Sequence, residues 1–151
     1  MSYKQWGNAT WYLFHTLSEK LRPEYSSFSK ELWNKFHIIC DNLPCPNCRE
    51  HAMQTMRSAN TNAINTREDL IRFIWEFHNI VNASLNKPSF SKEECDNLYK
   101  RANTQRMIIN FREIMKINHR IEKAMMGSFR RHRAVDELLT FIKNNYEKFN
   151  G

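Results

Sequence analysis

Leu70, Phe73, Ile74, Phe77, Val81 and Leu85 recur every three or four residues, the spacing of one face of an α-helix. The same period runs through most of the chain. Trp11, Phe14, His15, Leu17 and Leu21 share a face in a first stretch, and Leu32, Trp33, Phe36, Ile39 and Cys40 in a second. No stretch alternates as a half-buried strand would, and no internal repeat is present. The breaks fall where turn chemistry asks for them: at residues 22–27, at Leu43-Pro44, at residues 59–62 and at Asn86-Lys87-Pro88. Ser29 and Ser91 are the expected caps of the second and fifth helices, and Thr66 with Asp69 forms an acidic start for the fourth. Residues 104–126 and 134–148 also have helical periodicity, separated around Gly127. The pattern predicts an all-α fold, with a helical bundle over residues 1–100 and more helix beyond it.

At 151 residues the chain is one domain by size, and four cysteines are too few for a disulfide scaffold. No run of apolar residues is long enough for a membrane span, and Met1-Ser2-Tyr3-Lys4-Gln5 is no secretory leader. An intracellular protein is expected, without a transmembrane segment and not secreted. Charge is uneven. Residues 1–99 hold 11 Lys/Arg against 11 Asp/Glu, whereas residues 100–133 hold ten against two and carry the whole excess. That block includes Arg112, Lys116, Arg120 and Lys123, and the Arg130-Arg131-His132-Arg133 cluster. It suits nucleic acid, an anionic membrane surface or an acidic partner, and equally a solvated helix face.

The chemistry concentrates at Cys45-Pro46-Asn47-Cys48, which precedes a helical run. Two cysteines one turn apart can open and close a disulfide with little backbone movement. A helix start favours the thiolate, the form that attacks another disulfide. The spacing is also half of a zinc site, which His51 with Cys40 or His37 would complete. Two further faces pair an aromatic with an imidazole: Trp11 with His15, and Trp75 with His78, Asn82 and Leu85. Beside a dithiol they would line a slot with flat, hydrogen-bonding walls, although a histidine in an apolar stripe is commonly structural.

In order along the chain stand Trp6-Gly7-Asn8-Ala9-Thr10-Trp11, His15-Thr16, Leu43-Pro44-Cys45-Pro46-Asn47-Cys48, His78-Asn79-Ile80-Val81-Asn82 and Lys87-Pro88-Ser89-Phe90. This series resembles the Erv/ALR family of FAD-linked sulfhydryl oxidases, with its W-G-x-x-x-W-x-x-x-H, C-x-x-C, H-N-x-V-N and K-P pattern. The run from Leu43 to Ala52 is especially similar to the short enzymes of large cytoplasmic DNA viruses.

The resemblance implies a four-helix bundle binding FAD with a short fifth helix. It makes residues 1–103 the FAD-binding oxidase domain and leaves 104–151 as a basic helical extension to which the family pattern assigns nothing. By matching position, Cys48 is the cysteine next to the flavin and Cys45 the one that exchanges with substrate. Trp6, Trp11 and His15 would contact the cofactor from the first helix, and His78, Asn79 and Asn82 from the fourth. Lys87 and Tyr99 would lie near it as the chain leaves, and His51, three residues beyond Cys48, would join them. The implied activity is FAD-dependent thiol oxidation: electrons pass from protein dithiols through Cys45 and Cys48 to FAD and on to O₂, giving H₂O₂. A homodimer is expected, as is location in the cytoplasm of an infected host cell or in the virion. No second C-x-x-C exists, so a partner such as a thioredoxin-like carrier would have to reach Cys45 directly. Cys40 reads as a buried thiol and Cys95, among Lys92, Glu93, Glu94 and Asp96, as exposed, with a bridge between them the alternative. A zinc-binding helical module and a nucleic-acid-binding module remain the competing readings.

Overall fold

The apolar stripes of the sequence become the buried faces of seven α-helices. In a computed structural model, which describes residues 3–59, 61–116 and 122–151, these are α1 (Tyr3–Lys20), α2 (Ser29–Cys40), α3 (Pro46–Ser58), α4 (Arg67–Ser84), α5 (Lys92–Lys100), α6 (Thr104–Met115) and α7 (Glu122–Asn144). The fold is all-α, as expected. Among the described residues the only β pairing is a single bridge between Leu21 and Phe149, and no helix is long and apolar enough to cross a membrane.

The core runs through both halves of the chain. Leu13, Phe14 and Leu17 of α1 join Leu32, Trp33 and Phe36 of α2 and Leu70, Ile74 and Phe77 of α4. Met107, Phe111 and Met115 of α6 and Val135, Leu138 and Ile142 of α7 belong to the same cluster. Each such side chain contributes about 1.5–3 kcal/mol on burial. Helix α1 is central, packing against α4, α5 and α6, while α2 packs against α3, α4 and α7.

Helix ends are tied to one another. Arg67, at the start of α4, donates from Nε to Leu21 O (2.8 Å) and from Nη2 to Glu19 O (2.7 Å), so a cation satisfies carbonyls at the end of α1. The C-terminal strap does the same: Asn150 N donates to Lys20 O (2.7 Å) and Arg22 N to Lys148 O (2.8 Å). Asn86, with φ of 56°, stops α4 in the left-handed conformation that asparagine tolerates.

The expected caps divide. Ser91 Oγ accepts from Glu94 N, and Thr66 and Asp69 form a reciprocal capping box. Ser29 instead lies inside α2, where its hydroxyl donates to Ser26 O (2.7 Å), because the preceding 3-10 turn Pro23–Phe28 runs directly into the helix. Thr66→Ala should cost about 1 kcal/mol of stability in urea denaturation, and Thr66→Ser should restore it. Equal stabilities for all three proteins would remove the capping box as a contributor.

Gly127 does not divide two helices. It lies within α7, and α6 already ends at Met115. Arg131 is buried and donates from Nε to Met115 O (3.4 Å), and Lys116 pairs with Asp136, so α7 folds back over the end of α6. The cost of one interior glycine, about 1 kcal/mol, is small beside the burial of Val135, Leu138 and Ile142. The basic cluster is correspondingly altered: Arg131 is unavailable to a phosphate and Arg133 pairs with Glu137 (3.2 Å). Arg120 and Lys123 of the expected basic stripe fall outside the described side chains.

Candidate redox site

Pro46 opens α3 at a position where its missing N–H costs nothing and its fixed φ is already helical. Cys45 is thereby left as the N-cap in extended conformation, and its Sγ accepts a hydrogen bond from Cys48 N (3.2 Å). One turn brings the two sulfurs together, and they form a disulfide with the Cα atoms 5.2 Å apart. Joined in this way the sulfurs offer no thiolate to a metal, and no cluster of metal-ligating residues occurs among the described residues.

The disulfide borders a partly open cavity of about 70 Å³ between α1, α3 and α4. Its walls include Trp6, Trp11 and Phe14 from α1, Cys48, His51 and Ala52 from α3, and Phe77 and Val81 from α4, with Leu43 and Cys40 behind. The lining is mostly aromatic and aliphatic, with the two sulfurs of Cys40 and Cys48, the hydroxyls of Thr10 and Ser84 and one imidazole. Walls of this chemistry, with flat aromatic rings and Cys48 among them, suit the flat, redox-active ring system of a flavin. Cys40 is a free thiol that burial keeps well above the usual thiol range.

The remaining expected residues gather beside this cavity. Trp11 is the hinge between the two groups, since it lines the cavity and stacks on His78 with centroids 4.2 Å apart and planes 8° apart. His15 is buried behind, stacked on Tyr99 (4.3 Å, 10°) and bonded through Nε2 to His78 Nδ1 (2.8 Å). Asn79 grips the chain after α4: Oδ1 accepts from Phe90 N (3.1 Å) and Nδ2 donates to Phe90 O (3.0 Å). Trp75 Nε1 also donates to Phe90 O (2.8 Å), which sets the Phe90 ring edge-on to His78. Asn82 is buried and its backbone oxygen accepts from Lys87 N (2.8 Å), leaving the Lys87 side chain at the exposed turn.

Both imidazoles are neutral at ordinary pH. Burial first, and then His78, holds His15 well below its usual range. Burial and the Lys87 cation bring His78 down to about 4. Cys95 corrects the sequence reading. It is fully buried rather than exposed, it forms no bridge to Cys40, and its Sγ lies 3.3 Å from His15 Nδ1. Burial, with Glu19 and Asp96 adding to it, pushes this thiol up to about 12.

Glu19 is a buried residue that periodicity did not single out. Burial, with Asp96 alongside, raises its carboxyl to about 8. Arg67 Nη2 stands 3.7 Å from Glu19 Oε2 and opposes the shift, but that is beyond hydrogen-bond range, and a proton held by Glu19 and shared with Asp96 satisfies both carboxyls. Because the folded value lies above the unfolded 4.5, the fold gains from this proton fully below about pH 4.5 and loses the gain as pH rises through about 8. Glu19→Gln keeps a donor toward Asp96 and cannot ionise. Relative to the unsubstituted protein it should gain stability as pH rises from 4.5 to 8 in urea titrations. A difference that does not change with pH would contradict the shared proton.

A bundle with a disulfide at a helix start, set against an aromatic-walled cavity, defines an all-α thiol–disulfide protein. More narrowly, the chain belongs to the Erv1/Alr family, whose model matches residues 8–103. It is 31% identical over 99 residues to a protein of Invertebrate iridescent virus 3 named as an FAD-linked sulfhydryl oxidase, covering 64% of this chain and 67% of that one. A Frog virus 3 protein named in the same way is 27% identical over 104 residues, covering 62% and 65%. The FAD-linked sulfhydryl oxidase ERV1 of Oryza sativa subsp. japonica is 31% identical over 85 residues, covering 56% and 43%. The chain thus spans about two thirds of the viral relatives' length and less than half of the rice protein. No solved structure matches it significantly.

Proposed function

We propose that the chain is an FAD-dependent thiol oxidase that makes disulfide bonds in protein substrates through Cys45 and Cys48. The observation that carries this reading is the placement of the pair: a disulfide at the start of α3 with Cys48 on the wall of the cavity. Trp6, Trp11, Cys48 and His51 would hold the flat end of the cofactor. His78, Asn79, Asn82, Lys87, Tyr99 and His15 would hold or brace the rest of it. When bound, FAD supplies a two-electron acceptor for the reduced dithiol and, in the fuller form of the proposal, delivers those electrons to O₂ as H₂O₂.

The protein's own part is thiol–disulfide exchange. A substrate thiolate attacks Cys45 Sγ, the Cys45–Cys48 bond breaks, and Cys48 leaves as the thiolate. A second substrate thiolate then attacks the substrate sulfur of the mixed disulfide and expels Cys45. The Cys48 N–H that points at Cys45 Sγ stabilises the departing charge, which makes Cys45 the better leaving group in this second step. Two substrate thiols have become one disulfide, and their two protons and the electron pair now reside on the Cys45/Cys48 dithiol.

A homodimer, a thioredoxin-like electron donor and residence in the cytoplasm or virion of an infected cell belong to the same proposal. The test is direct. The purified full chain should bind FAD with a yellow flavin spectrum and take up oxygen when dithiothreitol is added. Colourless protein with no thiol-dependent oxygen uptake in excess FAD overturns the proposal.

A further inference from the structure

The buried polar line Cys95–His15–His78 crosses from α5 through α1 to α4 and ends beside Trp11, which lines the cavity. Each imidazole is neutral and carries one proton, so the 2.8 Å contact between His15 Nε2 and His78 Nδ1 permits two arrangements. In the first, His15 donates from Nε2 and His78 carries its proton on Nε2. In the second, His78 donates from Nδ1, its Nε2 is a bare acceptor, and His15 carries its proton on Nδ1. Nothing within the two rings decides between them.

Cys95 decides. Its side chain is fully buried, remains a thiol, and has His15 Nδ1 as its hydrogen-bond partner. In the second arrangement His15 would donate to sulfur, a weak acceptor, and the S–H proton would be buried with no acceptor. In the first, the S–H donates to a bare ring nitrogen, both buried protons of the line have a partner, and only the N–H of the half-buried His78 Nε2 is left over.

We propose that Cys95 is a positioning residue: its thiol donates to His15 Nδ1 and thereby fixes the tautomer in which His78 presents Nε2–H outward. His78 is only half-buried and its Nε2 makes no hydrogen bond among the described residues, so this N–H is a donor offered to an acceptor atom of a ligand: a ring nitrogen, a carbonyl or a phosphate oxygen. The step from ligand to FAD rests on the function proposed above; the tautomer does not.

The experiment is ¹⁵N NMR of the histidine rings in the full chain, first without and then with FAD, on the unsubstituted protein and on Cys95→Ser and Cys95→Ala. The expected result is an Nε2–H tautomer at His78 in the unsubstituted protein and in Cys95→Ser, whose hydroxyl is also a donor. Cys95→Ala should show a mixture or the reverse tautomer. FAD titration should then find binding weakened about five- to tenfold in Cys95→Ala and restored in Cys95→Ser, the size of one hydrogen bond. An Nδ1–H tautomer at His78 in the unsubstituted protein, or an unchanged tautomer in Cys95→Ala, overturns the inference. The first of these needs no variant to fold. A chain that binds no FAD yet shows the expected tautomers sinks the oxidase proposal and leaves the role of Cys95 toward His78 standing.

Discussion

Cys48→Ser is expected to cut dithiol-driven oxygen uptake by roughly three orders of magnitude or more while leaving FAD bound. The substitution removes the bond that substrate must attack, because without Cys48 there is no disulfide for Cys45 to enter. It changes the cavity wall by one atom of similar shape, so the aromatic lining from Trp6, Trp11 and Phe77 persists. The other two thiols cannot replace it: Cys40 and Cys95 are buried and held protonated, and a thiol exchanges only as its thiolate. The lone Cys45 thiol left at the helix start still has the N–H of position 48 beside it; given oxidised glutathione, its thiolate should attack the glutathione disulfide, expel one glutathione thiolate and stay as a stable mixed disulfide. Oxygen-electrode rates, the flavin spectrum of the purified variant and mass analysis of the trapped adduct check the three parts. Turnover that survives in Cys48→Ser would mean that electrons enter by another route.

The disulfide was legible in the sequence because everything that makes it is local. Pro46 and the one-turn spacing lie within four residues, and so does the hydrogen bond from Cys48 N. Helix existence was legible for the same reason, with Leu70, Ile74 and Phe77 or Leu32, Trp33 and Phe36 marking a face by period alone. Cys95 was not. Its neighbours Glu93 and Glu94 are charged and exposed, but Cys95 itself faces α1, and the group that receives its thiol, His15, is 80 residues away. Glu19 and Asp96 meet across the same seam, so neither segment alone announces a shared proton.

Phase divides the basic cluster: four successive residues cannot share a helix face, and Arg131 is turned inward to the end of α6 while Arg130 and Arg133 stay exposed. The residues expected to hold the cofactor fall between these cases. Their order along the chain gave the family, yet which of them wall the cavity depends on how α1 and α4 are rotated against each other. That rotation puts Trp6 and Trp11 on the cavity and His15 and His78 beside it.

Phe111→Ala should destabilise the protein by about 3–5 kcal/mol, the cost of removing a fully buried aromatic from a core that cannot collapse around the gap. The residue lies outside the stretch that matches the family, residues 8–103, yet it belongs to the same hydrophobic cluster as Leu13, Leu17 and Trp33. Helix α6 packs directly on α1, and the strap beyond α7 closes on the end of α1 through Asn150 N and Thr104 Oγ1, which donates to Asn150 O (2.7 Å). Ile109→Ala, on the exposed side of the same helix, is the control and should stay within about 0.5 kcal/mol. Urea denaturation of both variants decides the matter. If Phe111→Ala costs no more than Ile109→Ala, α6 is a passive attachment. If it costs the expected amount, α1 depends on the extension for its position. Because α1 carries Trp6 and Trp11 on the cavity wall, the loss in Phe111→Ala should then appear in FAD affinity as well as in folding.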